Sequence, residues 1–300
     1  MHQTAAVKKQ EIFDLTIQKN LDRKAAFIDQ VQLVGDTPLY SWIDLNPTEL
    51  CNRRCAFCPR EDTSFYPNQN LHLDLELAAK IAAELRAVDY RGGLNFCGYG
   101  EPLMHPDIVG LVQIFGTDIH TEMVTNGDKL HKELVRELFA AGLDVLLVSL
   151  YDGPYQIDSF RDMFESVGLH EGQYLLRDRW YSIEEDYGVK LTNRAGSVQN
   201  GNQAEVERAR PCFYTHYGLQ VDWNGDVMLC AQDFNKKIKF GTLYASSMFD
   251  IWSSRNMRKY REMLGKGFRG IYPCNNCNVN GTLHGAQHCE EWISKYEGQK

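Results

Sequence analysis

Apolar and polar positions follow two different periods along most of the chain. Short apolar runs predict strands, and between them apolar residues recur every three or four positions, which predicts amphipathic helices. The predicted strands are Ser41–Leu45, Leu94–Phe96, Thr121–Thr125 and Val145–Leu150, with weaker strands near residues 174–180 and 190–192. The predicted helices have apolar faces within Leu77–Leu85, Ile108–Phe115, Leu130–Phe139 and Ile157–Val167. This alternation predicts an α/β fold with a parallel sheet, either a barrel or a doubly wound sheet.

The two ends of the chain depart from this alternation. Residues 1–39 predict an N-terminal helical extension, whose apolar positions are Phe13, Ile17, Leu21 and Ile28. A polar stretch near residues 195–210 predicts a linker, so the expected domains are 1–39, 40–200 and 201–300.

Beyond the linker the pattern predicts a smaller unit. The turn residues Asn224-Gly225 predict a hairpin between Tyr217 and Leu229. Residues Phe249–Leu264 predict one helix, and the remaining residues are expected to be rich in loops.

Composition narrows the class of protein. The 300 residues carry a net charge of −8, with 43% hydrophobic and 24% charged residues. This balance argues against disorder and against nucleic acid as a partner, because non-specific nucleic-acid binding draws on basic patches. The most apolar run, Val145–Leu150, is far too short to span a bilayer, so no membrane partner is expected.

The nine cysteines carry the candidate chemistry. An odd number without an evident signal peptide fits a reducing compartment, so the expected location is cytoplasmic. Cys51, Cys55 and Cys58 follow the first predicted strand. Three thiolates on one loop can bind three irons of a [4Fe–4S] cluster and leave the fourth iron open. A zinc site or a buried group of thiols is the alternative.

A second set of cysteines follows the linker. It consists of Cys212, Cys230, Cys274 and Cys277. Four thiolates can saturate a second cluster with no open iron, which suits electron transfer better than substrate binding. A structural zinc is the alternative, since paired cysteines around a hairpin also describe a zinc ribbon.

The first loop resembles the signature of the radical S-adenosylmethionine (SAM) superfamily. Its residues are Cys51-x3-Cys55-x-Phe57-Cys58, and the later segments Gly98-Tyr99-Gly100-Glu101-Pro102, Thr125-Asn126-Gly127 and Ser149-Leu-Tyr-Asp-Gly153 are similar to further motifs of that family. The resemblance implies a partial (βα)6 barrel whose strand ends gather the site. It also implies that SAM chelates the open iron. The implied SAM-binding residues are Phe57, Gly98, Tyr99, Gly100, Glu101, Asn126 and Ser149.

The region after the linker resembles the C-terminal SPASM or twitch extension of that superfamily, a small iron–sulfur domain of β-hairpin and helix. Full SPASM domains have a further cysteine six residues past the chelating pair, but position 283 is Leu. The departure favours the twitch form with one auxiliary [4Fe–4S] cluster. The two resemblances cover about residues 40–280, and the size and cysteine spacing resemble the 2-deoxy-scyllo-inosamine dehydrogenase family.

The resemblance implies a radical SAM oxidoreductase. Such an enzyme cleaves SAM to a 5′-deoxyadenosyl radical, abstracts a hydrogen atom and oxidises a small polyol, sugar or aminocyclitol by two electrons through the auxiliary cluster. The expected partners are a small-molecule substrate rather than a peptide, and an electron donor of the flavodoxin or ferredoxin type. The candidate catalytic residues are Arg194, chosen over Arg177 and Arg179 because it ends a predicted strand just before the second cysteine set, and Cys97.

Three alternatives stay open at this point. A peptide-modifying enzyme, either a maturase of ribosomal peptides or a relative of the sulfatase-maturating enzymes, would use the same two domains. A redox-neutral epimerase would need a thiol that returns a hydrogen atom, for which Cys97 or Cys289 would serve. A zinc protein without enzymatic activity would leave the motifs at the strand ends unexplained.

Overall fold

The computed structural model describes residues 18–179, 192–199, 205–206 and 209–298. Its centre is one sheet of eight strands in the order β10-β9-β8-β3-β4-β5-β6-β7. The strands of this sheet are β3 (Trp42–Leu45), β4 (Gly93–Phe96), β5 (His120–Thr125), β6 (Val145–Leu150), β7 (Tyr174–Asp178), β8 (Gly218–Val221), β9 (Asp226–Met228) and β10 (Lys239–Thr242). A separate two-stranded ribbon consists of β1 (Leu33–Val34) and β2 (Thr37–Pro38).

Strands β8, β3, β4, β5, β6 and β7 are mutually parallel, and helices connect most of them. The helices are α1 (described over residues 18–28), α2 (Leu75–Ala87), α3 (Ile108–Phe115), α4 (Lys132–Ala140), α5 (Tyr155–Ser166), α6 (Tyr214–Tyr217), α7 (Met248–Trp252), α8 (Arg255–Gly265) and α9 (Ala286–Glu297). Every residue of β6 is buried, as expected for a parallel strand covered on both faces. The predicted α/β fold with a parallel sheet is confirmed.

The hairpin of the C-terminal region belongs to the same sheet as the N-terminal strands. Strand β8 pairs in parallel with β3, with Trp42 opposite Gly218 and Leu45 opposite Val221. Strands β8 and β9 form the predicted antiparallel hairpin, and Gly225 takes the left-handed conformation that its turn requires (φ +75°). The division near residue 200 stays a prediction, and the sheet is continuous across it.

Two expectations for the C-terminal region are wrong. The single helix expected over Phe249–Leu264 is two helices, because the Ser254 side chain accepts a hydrogen bond from the Met257 N–H and caps the start of α8. The final residues contain α9, which buries His288, Trp292 and Tyr296 at a spacing of four. That spacing was visible in the sequence among residues expected to form loops.

Some expectations fall outside the described residues. Phe13 and Ile17 of the N-terminal extension do so, as does most of the weak strand expected near 190–192. Within the part of the chain that is described, no helix combines the length and the apolar character needed to cross a membrane.

Candidate active site and auxiliary cluster site

The first cysteine loop lies directly beyond the carboxyl end of β3. Cys51, Cys55 and Cys58 are all half-buried, and the Cys58 N–H donates to the Cys55 carbonyl at 2.9 Å in a tight turn. Asn68 holds Cys51 from both sides: its Oδ1 accepts from the Cys51 N–H at 2.9 Å, and its Nδ2 donates to the Cys51 carbonyl at 3.1 Å. Burial, with the other two thiols adding to it, raises the pKa of Cys55 to about 12. Three neighbouring soft donors fit an iron–sulfur cluster that would neutralise their charge.

Arg53 fastens this loop to the ends of two neighbouring strands. Its guanidinium pairs with Asp128, which follows β5, with Nε–Oδ2 at 2.6 Å and Nη2–Oδ1 at 2.5 Å. The same group pairs with Asp152, which follows β6, at 2.7 and 2.6 Å. Phe57 stacks on Tyr151 with ring centroids 5.6 Å apart. The cysteine loop is therefore positioned by the strand ends that carry the other motifs.

The glycines after β4 allow the chain to pass close to the cysteine loop. A Cβ at Gly100 would lie 2.0 Å from the Thr48 carbonyl oxygen, so no larger residue fits there. Asn46 Oδ1 accepts from the Tyr99 N–H at 3.1 Å and from the Gly100 N–H at 3.3 Å. The Tyr99 ring is buried edge-on against Phe234, with ring centroids 4.9 Å apart. The Tyr99 side chain is thus not available to a cofactor.

Glu101 is a buried carboxylate that ties β4 to β5. Its Oε1 accepts from Thr125 Oγ1 at 2.5 Å and from the Leu103 N–H at 3.2 Å, and its Oε2 accepts from the Asn126 N–H at 2.8 Å. Burial raises the pKa of Glu101 to about 7 in spite of these donors. The Asn126 side chain in turn donates to Asn52 Oδ1 of the cysteine loop at 2.8 Å. The structure therefore brings Glu101 and Asn126 together beside the cysteine loop.

Ser149 is held by Arg177, which was not the arginine predicted from the sequence as the catalytic residue. Arg177 lies opposite Ser149 in the register of β6 and β7, and its Nη2 donates to Ser149 Oγ at 2.8 Å. Burial, with Arg179 as the next cause, lowers the pKa of Arg177 to about 9. Arg177 Nε is buried and has no hydrogen-bond partner among the described residues. A guanidinium of this kind at a strand end is suited to an anionic group of a ligand.

The four cysteines of the second set face one small cavity. The wall of this cavity includes residues of α6 and α8 together with Cys212, Cys230, Cys274 and Cys277. Burial raises the pKa of each of these thiols, and neighbouring thiols add to the effect at Cys212, Cys230 and Cys274. Four thiolates around one cavity fit a fully ligated iron–sulfur cluster. Among the described residues, no three His, Cys, Asp or Glu side chains come together as the ligands of a single metal ion do.

A second, larger cavity of about 220 Å³ lies between the parallel sheet and this cysteine set. We call it the interior cavity. Its wall includes Trp42 and Asp44 of β3, Gln220 of β8, and Cys230. Both amide atoms of Gln220 are buried without a hydrogen-bond partner in the described part of the chain, as are Oε1 of Gln232 and Nε2 of His284 on the same wall. Unpaired buried polar atoms are costly unless a ligand satisfies them.

The polar residues of this wall were not among the site residues predicted from the sequence. Asp44 and Gln220 lie opposite each other in the register of β3 and β8, inside strands that are otherwise mostly apolar. The sequence signal that could have identified Asp44 and Gln220 is a carboxylate or an amide within an otherwise apolar strand.

Asp44 and Cys97 form a hydrogen-bonded group beside the interior cavity. Asp44 Oδ1 accepts from Trp42 Nε1 at 3.0 Å, from Asn95 Nδ2 at 3.0 Å and from Cys97 Sγ at 3.2 Å. Burial raises the pKa of the Cys97 thiol well above its ordinary value, and the Asp44 carboxylate adds to the shift. Cys97 is therefore a protonated thiol at neutral pH. Cys289 is buried in α9 and is not part of the cavity wall.

Arg194 lies near the second cysteine set and is not part of the wall of the interior cavity. Its guanidinium is 5.6 Å from the centroid of the Phe234 ring, and its charge acts on the Cys277 thiol. Arg194 and Ala195 both have left-handed backbone conformations, at φ +47° and +52°. Two such residues in succession store strain, which is common at functional sites.

Comparison with known proteins identifies two segments of the chain. Residues 45–166 match the model of the radical SAM superfamily, and residues 212–278 match SPASM, an iron–sulfur cluster-binding domain. The SAM-dependent 2-deoxy-scyllo-inosamine dehydrogenase of Niallia circulans is 27% identical over 80% of this chain and 93% of its own length.

Solved structures show the same fold. That of BtrN in complex with AdoMet and 2-DOIA is 24% identical and covers 84% of this chain and 98% of its own, with a TM-score of 0.69. That of Streptococcus suis SuiB bound to the precursor peptide SuiA is 13% identical and covers 80% and 70%, with a TM-score of 0.56.

Proposed function

Because the chain belongs to the radical SAM superfamily and carries a SPASM iron–sulfur domain, we propose that it oxidises a small polyhydroxylated alcohol to a ketone. The similarity to a dehydrogenase of an aminocyclitol over most of the chain supports an alcohol as the substrate. Oxidation of a secondary alcohol removes one hydrogen atom, one proton and one electron from the carbinol group. When bound, SAM at the reduced first cluster supplies the 5′-deoxyadenosyl radical that takes the hydrogen atom, and the auxiliary cluster supplies the acceptor of the electron.

The residues proposed to hold these groups follow from the site. The first cluster is assigned to Cys51, Cys55 and Cys58, and the auxiliary cluster to Cys212, Cys230, Cys274 and Cys277. The proposed SAM contacts are Phe57, the backbone of Gly98, Tyr99 and Gly100, Glu101, Asn126, and Ser149 together with Arg177. Support comes from the convergence of these residues on the carboxyl ends of β3 to β7.

The observation that carries the proposal is the interior cavity. It reaches from Asp44 on the sheet to Cys230 of the auxiliary set, so a molecule within it would contact both units. Its volume of about 220 Å³ exceeds the roughly 150 Å³ of an engineered cavity that binds benzene. The cavity therefore has room for one six-membered ring. Its unpaired amide groups suit a ring with several hydroxyls.

We propose that Asp44 accepts the proton that the substrate hydroxyl loses during oxidation. Its Oδ1 already accepts three hydrogen bonds, whereas no described residue donates to Oδ2. A carboxylate on the cavity wall can accept the proton of a substrate hydroxyl, which favours loss of the remaining electron. Arg194 is proposed to act at the auxiliary cluster, through its positive charge beside Cys277. The proposed electron donor is of the flavodoxin or ferredoxin type, and the proposed location is the cytoplasm.

The test is the product. Anaerobically reconstituted protein is incubated with SAM, a reductant and separate cyclic alcohols: 2-deoxy-scyllo-inosamine, scyllo-inositol, quinate and myo-inositol 1-phosphate. A dehydrogenase converts at least one of them into a product two mass units lighter, with one 5′-deoxyadenosine formed per product. A product of unchanged mass from every alcohol that is turned over would contradict the proposal.

One observation favours a second candidate, a redox-neutral epimerase. The protonated Cys97 thiol donates to Asp44, which lines the interior cavity, so a hydrogen donor lies beside the substrate space. An epimerase would leave the auxiliary cluster without an electron to accept. We therefore rank it second.

A further inference from the structure

Lys24 of the N-terminal extension is on the wall of the interior cavity. It lies in α1, outside both matched segments, which cover residues 45–166 and 212–278. Its Nζ is 4.6 Å from the centroid of the Trp42 ring. Within the described part of the chain, no hydrogen bond or ion pair joins this ammonium group to an acceptor.

The position of α1 is fixed by contacts with the first strands of the sheet. Phe27 stacks on His120 with ring centroids 4.3 Å apart, and Ile28 is fully buried in a cluster with Trp42 and Tyr217. Arg23, beside Lys24, forms an ion pair with the buried Glu122. The extension is therefore packed against the sheet, and this packing brings Lys24 to the cavity.

The charged groups around the cavity differ in how well they are satisfied. Asp44 accepts three hydrogen bonds, and Arg23 is paired with Glu122. Lys24 lies on the cavity wall, and no described residue accepts a hydrogen bond from its ammonium group; the Asp44 carboxylate on the same wall acts on it through its charge. An ammonium group on the cavity wall that lacks a hydrogen-bond acceptor gains most from a ligand that supplies one, and an anionic acceptor adds charge assistance.

We propose that the interior cavity takes a polyol that carries an anionic group, a carboxylate or a phosphate, and that Lys24 binds that group. The inference rests on the proposed function and names its substrate class. The unpaired amide of Gln220 and the unpaired amide oxygen of Gln232 bind the hydroxyls, and the ammonium of Lys24 binds the anion. The N-terminal helix is thus a specificity element of the active site. A charge-assisted hydrogen bond of this kind strengthens binding about ten- to hundredfold.

Binding to the reconstituted full-length protein with SAM tests the preference without any variant. Isothermal titration compares quinate, a carboxylate, and myo-inositol 1-phosphate, a phosphate, with neutral scyllo-inositol and with the amine 2-deoxy-scyllo-inosamine. At least one of the two anions should bind about tenfold or more tightly than scyllo-inositol. The anion that binds more tightly shows whether the site prefers a carboxylate or a phosphate. Equal or weaker binding of both anions overturns the inference.

Variants on the same helix then assign the effect to Lys24. Lys24→Met should weaken binding of the preferred anion about ten- to hundredfold and leave scyllo-inositol within about twofold, whereas Lys24→Arg should retain most of the anion's affinity. Lys19→Met, an exposed position on α1, is the matched control and should change neither. Anion affinity that survives in Lys24→Met contradicts the assignment.

Binding and product mass separate this inference from the proposed function. An anion that binds through Lys24 but yields a product of unchanged mass contradicts the dehydrogenase and supports Lys24. Loss of two mass units from the neutral alcohol or the amine, with no preference for the anions, supports the dehydrogenase and contradicts the role of Lys24.

Discussion

The buried carboxylate of Glu101 makes the affinity for SAM depend on pH. Its pKa is raised to about 7 because burial disfavours the charged form, although three donors from neighbouring residues favour it. Only the ionised form can accept a hydrogen bond from the amino group of SAM with full charge assistance. Lowering the pH through 7 should therefore weaken binding of SAM.

The size of this effect follows from the pKa. Between pH 7 and about pH 5.5 the ionised fraction of a group with a pKa of about 7 falls from about one half to about 3%. The dissociation constant of SAM should rise about fifteenfold over that range. An unburied glutamate with an ordinary pKa of about 4.3 would stay almost fully ionised and give a change of less than about twofold.

The same group determines how stability depends on pH. The folded-state pKa of Glu101 lies above its unfolded value, so the folded chain holds the proton over a range in which the unfolded chain has lost it. The contribution of Glu101 to stability is therefore greatest below the unfolded pKa and is lost as the pH rises toward about 7.

Equilibrium binding of SAM to the reconstituted protein, measured at several pH values, is the assay. Glu101→Gln should bind SAM about ten- to hundredfold more weakly at neutral pH and show little dependence on pH, because no ionisable group remains at that position. Glu165→Gln, at an exposed position on α5, should retain the wild-type profile. A wild-type affinity that is flat between pH 7 and about pH 5.5 would refute the role assigned to Glu101.

Three further variants test the cluster and proton assignments. Replacing Cys51, Cys55 and Cys58 by Ala should remove about half of the iron and all reductive cleavage of SAM, and continued formation of 5′-deoxyadenosine would show the assignment to be wrong. Replacing Cys212, Cys230, Cys274 and Cys277 by Ala should leave roughly four irons and SAM cleavage but no ketone, whereas zinc in the anaerobically prepared wild type would contradict an auxiliary iron–sulfur cluster. Asp44→Asn should form 5′-deoxyadenosine but lower ketone formation about 100-fold or more, and an unchanged rate would remove Asp44 from proton transfer.

The local pattern of apolar residues was sufficient to predict most strands of the sheet and the helices that cover it. The buried strand β6 and helix α3 begin and end where the apolar pattern predicts, because their apolar residues form the core of the sheet and its covering helix. The break between α7 and α8 was harder to predict. It depends on one serine cap, and the apolar spacing continues across it.

Tertiary packing brings together residues whose proximity cannot be predicted from the local sequence pattern. Cys230 and Cys277 are 47 positions apart, and only the folded chain places them on one cavity. The wall of the interior cavity combines α1, β3 and β8, so the presence of Lys24 beside Gln220 could not be read from either segment alone. The resemblance to a known superfamily supplied the proposed cluster ligands, but not the residues proposed to face the substrate.

The fate of the substrate's hydrogen atoms tests most directly the claim that the protein oxidises an alcohol to a ketone. An alcohol that is turned over and carries deuterium at its carbinol carbon is given to the reconstituted enzyme, and the unlabelled alcohol is given to it in deuterated water. The account predicts one deuterium transferred to 5′-deoxyadenosine per ketone formed, and no solvent deuterium bound to the reacting carbon. A product that keeps its hydroxyl and gains one solvent deuterium at that carbon, and that loses it in Cys97→Ala, would contradict the account.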